Sequence, residues 1–230
     1  MNTLTEYNDL IALALSAALL AIYHVYLRIR LKANPHYTVQ AVNRHARTEW
    51  VASVMNDPQR NIVGVQTLRN ATMAATFMAS TAVLLIIGTL NLSGEATKLM
   101  DTWHVLNFLG SSHPGLWIVK LLFLVTNFFV AFFSFSMSVR LYNHVGFHIS
   151  VPPAGRTSDL QPRSVAIHLN RAGYYYSIGM RAYYFAVPLV FWLFSPVFML
   201  IATLVLIAVM YHIDRSPKQA GMDRLNEIEE

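Results

Sequence analysis

Hydrophobic positions in this chain come in long blocks, not in the short-period alternation of a half-buried strand or a one-sided helix. Four stretches are free of Asp, Glu, Lys and Arg: Leu10 to Leu27, Ala71 to Leu92, Leu121 to Val139 and Ala182 to Ile213. A hydrocarbon layer about 30 Å thick needs about 20 apolar helical residues, and backbone groups in lipid must be satisfied within their own segment. The pattern predicts an all-α, polytopic membrane protein with four transmembrane helices, at about 10–27, 71–92, 117–139 and 183–211. These form one membrane domain over 1–230, ending in a polar tail at 214–230. The first block is expected to stay in place: Glu6 and Asp9 precede it where a signal peptide carries basic residues, and Arg28, Arg30 and Lys32 follow directly.

The connections carry further helix signals. Asn34-Pro35 marks an end to the first helix. Val39, Val42, Ala46 and Trp50 recur near helical spacing, which predicts a short amphipathic helix beside the membrane. Asp57-Pro58 starts another, with Asp57 as N-cap, expected to run into the second span. Between spans three and four, Val151-Pro152-Pro153-Ala154-Gly155 reads as a loop and a helix begins at about Ser164. Ala14 with Ala18, and Ala17 with Ala21, face Ala71, Ala75 and Ala79 as candidate close-packing surfaces between spans one and two. Pro188 and Pro196 are candidate kinks in span four.

Composition agrees. The 230 residues are 55% hydrophobic and 13% charged, against roughly 25% charged in a soluble domain. That excludes a disordered chain. The absence of cysteine removes disulfides, thiolate metal sites and cysteine nucleophiles. The placement of charge matters more than the net +5. Arg28, Arg30, Lys32, Arg44, Arg47, Arg60 and Arg69 follow span one, and Arg140, Arg156, Arg163, Arg171 and Arg181 follow span three. By the positive-inside rule both connections, with their juxtamembrane helices, are cytoplasmic, which predicts an N-terminus and a C-terminus on the outer side. Arg215, Lys218 and Arg224 in the tail oppose the last assignment.

Candidate chemistry is sparse. No ionisable residue is read well inside a span, which disfavours proton relays and charge-coupled carriers. Asn127, Ser134, Ser136 and Ser138 are the polar set of span three, with the serines expected to bond backbone carbonyls. At the inner leaflet, Gln66, Arg69, Asn70, Arg171, Arg181 and Tyr184 are candidate lipid- or anion-binding residues, since an arginine fork suits a phosphate and tyrosine suits an interface. Glu49 is a candidate partner for one of these arginines. His144 and His148, four apart, are a candidate metal or haem pair, with His24 as a third ligand. Asp101, His104 and His113 form an outer cluster beside Trp103 and Trp117, with His212 as a further candidate ligand. The ordinary reading of these histidines is interfacial hydrogen bonding, so no cofactor is predicted. No phosphate loop, nucleophile elbow or zinc-protease motif is present.

Gln66-Thr67-Leu68-Arg69-Asn70, leading into an Ala/Thr/Met-rich span, resembles a motif of a bacterial and plant membrane-protein family known as domain of unknown function 599. The stretch from Gly179 to Leu189, with Trp192 and Pro196, resembles its second motif. The resemblance covers most of the chain and implies a small polytopic membrane protein, with no established activity, cofactor or catalytic residue. The expectation is therefore a non-catalytic accessory, scaffolding or interaction subunit of a larger membrane assembly. Its expected partners are membrane lipids and other subunits or itself, and not nucleic acid. The alternatives are a channel or carrier for a small neutral or lipid-like solute, and a metal- or haem-binding subunit.

Overall fold

The structure is a computed structural model that describes residues 2–94, 114–152 and 157–216. The outer cluster Asp101, His104 and His113, most of the Pro-Pro loop and the tail beyond Ser216 lie outside the described residues. The elements are α1 (Asn2–Ala33), α2 (Val39–Asn56), a 3-10 turn (Pro58–Arg60), α3 (Asn61–Gly94), α4 (Pro114–His148), α5 (Pro162–Phe194) and α6 (Pro196–Asp214). Among the described residues, five helices are long and apolar enough to cross a membrane, against the four spans expected.

The extra helix comes from the long block at 182–213. Pro188 sits inside α5 without ending it, whereas the chain breaks at Ser195. The residue before a proline avoids the helical region, and Ser195 is extended at φ −164°. Its hydroxyl accepts from the Val197 amide and caps α6, with Pro196 at the first position. Asp57 acts as predicted: it accepts from the Gln59 amide at 3.0 Å and starts the 3-10 turn that leads into α3.

The fold divides into two compact units, each assembled from pieces of several helices. One comprises residues 1–42, 86–127 and 183–230. Here α1 packs along α6, around Tyr23, Leu27, Tyr37, Leu206 and Met210. The two helices run parallel. The Tyr23 hydroxyl donates to Asp214 at 2.8 Å, and the segment after α1 meets the end of α6 through a Thr38–Arg215 bridge and a Ser216 amide bond to the Tyr37 carbonyl. The end of α6 thus lies beside the α1–α2 connection. The break at Ser195 starts α6 beside the early part of α1, where Trp192 meets Asp9, and α6 finishes where α1 does. The alanine expectation is corrected for α1, where Ala14, Ala17, Ala18 and Ala21 are all exposed.

The other unit comprises 43–85 and 128–182. Its core joins Val51, Val54 and Met55 of α2 to Leu68 and Ala75 of α3, Val145 of α4 with Ile149 just after it, and Val165, Leu169 and Ala172 of α5. The buried face of α2 is therefore this one; Val42 and Ala46 are exposed. The Ser138 hydroxyl donates to the Ala172 carbonyl at 3.0 Å and ties α4 to α5. Nearby, Gly179 lets α5 approach the Phe135 ring, where an added Cβ would fall 2.7 Å from a ring carbon. Gly179→Ala should lower the thermal unfolding midpoint in detergent, overpacking costing about 1–3 kcal/mol. Gly88→Ala meets no atom within 4 Å and should leave the midpoint unchanged or raise it.

Candidate functional site

The first site concerns two residues that sequence reading placed at the flanks of spans. Asp9 is the ninth residue of the chain but lies two turns into α1, and Lys120 lies in the second turn of α4. Both are within membrane-length helices and buried, with 0% and 3% of their surface exposed. Both stand near the start of their apolar stretches, Tyr7–Ala33 and Gly115–His148, as a buried ion pair that reading them as separate flanks does not anticipate. The Lys120 ammonium is 2.8 Å from Asp9 Oδ1 and donates to the Trp192 carbonyl at 3.0 Å. The Trp192 indole N–H donates to the same Asp9 oxygen at 2.8 Å, and the ammonium sits 5.3 Å from the Trp192 ring centre. Phe123 packs edge-on against that ring.

The proline break explains why a cation is needed there. In a continuous helix the Trp192 carbonyl would accept from the amide of residue 196, but Pro196 has none. The carbonyl end of α5 is thus left with an unsatisfied acceptor and the negative end of a helix dipole. Lys120 supplies both the donor and the charge, and Asp9 neutralises Lys120. Removing one member of a buried pair leaves the other uncompensated, at about 3–5 kcal/mol, whereas an apolar pair of similar volume is often neutral. Lys120→Met should therefore lower the unfolding midpoint sharply. The double variant Asp9→Leu with Lys120→Met removes the uncompensated carboxylate and should recover only part of that loss in the same melt, since the Trp192 carbonyl and indole N–H stay unpaired at about 1–3 kcal/mol each.

The second site is in the other unit. Gln66 and Arg69, both predicted from sequence, line an open cleft of about 360 Å³ with Asn61, Ile62, Val65 and Ser150. Arg69 is exposed and makes no ion pair among the described residues. Asn70 is exposed beside it. Arg171 and Arg181, in the same unit, do not line this cleft; the Arg171 guanidinium lies over the Tyr175 ring at 5.8 Å. Tyr184 belongs to the first unit and packs against the cluster around Tyr23. The six predicted residues are therefore not gathered into one pocket. Glu49 makes no ion pair among the described residues.

His144 and His148 are adjacent, with ring centres 6.4 Å apart, and His168 of α5 stands 6.1 Å from His148, a neighbour the four-residue spacing did not reveal. His24 is in the first unit, with Nδ1 2.7 Å from the Leu20 carbonyl and its ring against Tyr23 and Phe185. Among the described residues, no three His, Cys, Asp or Glu side chains stand close enough to hold a metal ion.

Fold and sites define an all-helical protein with several apolar helices of membrane-spanning length. The family model described as "Protein of unknown function, DUF599" matches residues 11–219, and the chain belongs to that family. No curated protein and no solved structure matches it.

Proposed function

We propose that this protein is a non-catalytic subunit of a larger assembly in the bacterial inner membrane, where it presents a cytoplasmic face to a partner subunit. The observation that carries this reading is bulky apolar surface beyond the spans. Arg69, Arg140 and Arg181 mark the inner ends of the apolar blocks in α3, α4 and α5. Ile62 and Phe147 each lie seven positions further out, about 10 Å along their helices. They are 80% and 79% exposed. Ile167, fourteen positions from Arg181, is 62% exposed. Lipid tails do not reach that level, and apolar side chains exposed there suit a protein partner. The open cleft at Gln66 and Arg69 adds a place for an anionic headgroup next to the membrane.

In this arrangement the N-terminus is outside and the two basic connections are inside. The end of α6 is inside as well, because it docks on the first of those connections. Arg215, at the end of α6, then conforms to the positive-inside rule. The Asp9–Lys120 pair weakens the sequence argument against a charge-coupled carrier. Its polar groups are nevertheless engaged with each other and with Trp192, which favours a structural tie.

Gentle extraction from native membranes tests the assembly. The protein should migrate with another subunit or a second copy, and Ile62→Asp or Phe147→Asp should shift it to the monomer without lowering its melting temperature. A wild-type monomer under the same conditions contradicts the proposal.

A further inference from the structure

Arg47 of α2 is held in a position that nothing described above requires. Its guanidinium lies flat against Gly173 of α5: a Cβ at that glycine would fall 2.8 Å from Cζ, 2.9 Å from Nη1 and 3.1 Å from Nη2. Three nearly equal distances mean that the plane is stacked face-on over the glycine, a placement only a residue without a side chain allows. The group is also fixed along its edge. Nε donates to Asn170 Oδ1 at 2.9 Å, Asn170 Nδ2 donates to Thr48 Oγ1 at 3.1 Å, and the Thr48 hydroxyl donates to the Arg44 carbonyl at 3.0 Å.

This chain of bonds uses one of the five guanidinium donors. Among the described residues, Nη1 and Nη2 have no acceptor and no carboxylate pairs with Arg47. The surroundings also disfavour an uncompensated cation. Burial pushes the Arg47 pKa below the usual arginine value; the Tyr142 hydroxyl opposes this, and Arg44 adds to it. A half-buried, immobilised and unpaired fork beside a second arginine is an arrangement that an oxyanion completes.

We infer that Arg47, stacked on Gly173 and aligned by Asn170, anchors an oxyanion site that takes one phosphate group through its free Nη edge. The site is separate from the Arg69 cleft and does not depend on the assembly reading. Gly173 lies eight positions before Arg181, about 12 Å along α5 beyond the apolar block. The headgroup layer is about 5–7 Å thick on each side of the hydrocarbon. That level lies on the cytosolic side of the headgroup layer, which favours a phosphate from the cytosol over a lipid phosphodiester, and the two arms of the test separate them.

The test uses the full-length protein in phosphatidylcholine nanodiscs, as wild type and as Arg47→Gln, Arg47→Lys, Gly173→Ala and Arg69→Gln. One arm titrates inorganic phosphate; the other adds phosphatidylglycerol to the nanodisc and counts retained lipid by native mass spectrometry. The wild type should bind at least one probe about tenfold or more tightly than Arg47→Gln, the loss expected for charged hydrogen bonds. Arg47→Lys keeps the charge without the fork and should be weakened. Gly173→Ala displaces the guanidinium and should be weakened likewise, while Arg69→Gln should bind as wild type does. Binding of phosphate identifies a soluble ligand, and retention of phosphatidylglycerol alone identifies a headgroup. Equal affinity of wild type and Arg47→Gln for both probes overturns the inference. So does unchanged binding by a folded Gly173→Ala, which also serves if Arg47→Gln does not fold.

Discussion

A helix broken inside an apolar environment must find partners for the backbone groups it frees, and this constraint governs the half of the molecule built on α1, α4, α5 and α6. Pro196 leaves the Trp192 carbonyl without its amide, and Lys120 provides the replacement. An ammonium at that position then needs a counter-charge, which Asp9 supplies while also accepting from the Trp192 indole. Residues from three helices therefore meet at one break because each solves a deficit created by another. Ser195 completes the arrangement on the α6 side by capping the new helix.

The consequence is topological. With the break held, α6 runs back along α1, and its end pairs with the segment that follows α1. Tyr23 on Asp214 fixes the register of the two helices at that end, as Asp9 on Trp192 fixes the start of the return. The other unit is organised differently: it is held by close approach, with Gly64 against Val54, Gly173 under Arg47 and Gly179 against Phe135. These contacts draw together elements whose outer surfaces keep exposed apolar groups such as Ile62 and Phe147.

Much of this was legible in the residues. Long charge-free blocks dictate membrane-length helices, and Asp57-Pro58 sets the entry to α3 as its cap chemistry requires. The motif around Gln66 and Arg69 identified the family and two lining residues of the cleft. The return at Ser195 was not read, because hydropathy alone joins Ala182 to Ile213 into one block. Ser-Pro as a cap-and-start signal inside that block was the available clue. Asp9 and Lys120 each border an apolar run, so hydropathy marks them as flanks. Arg28 lies 19 positions after Asp9 and Arg140 lies 20 after Lys120, so the opposite charges stand equally far from the basic ends of their blocks. That match was a sign of pairing. The stacking of Arg47 on Gly173 depends on tertiary packing and has no local signature.

The central claim is that the chain turns back at Ser195, so that the end of α6 and the α1–α2 connection share one side of the membrane. Since the protein contains no cysteine, a single introduced thiol reports its own location without background. His36→Cys lies in the connection, and Lys218→Cys lies two positions beyond Ser216. A membrane-impermeant maleimide applied to sealed right-side-out vesicles should leave both unlabelled, and applied to inverted vesicles it should label both. Labelling of the two thiols from opposite faces would contradict the account.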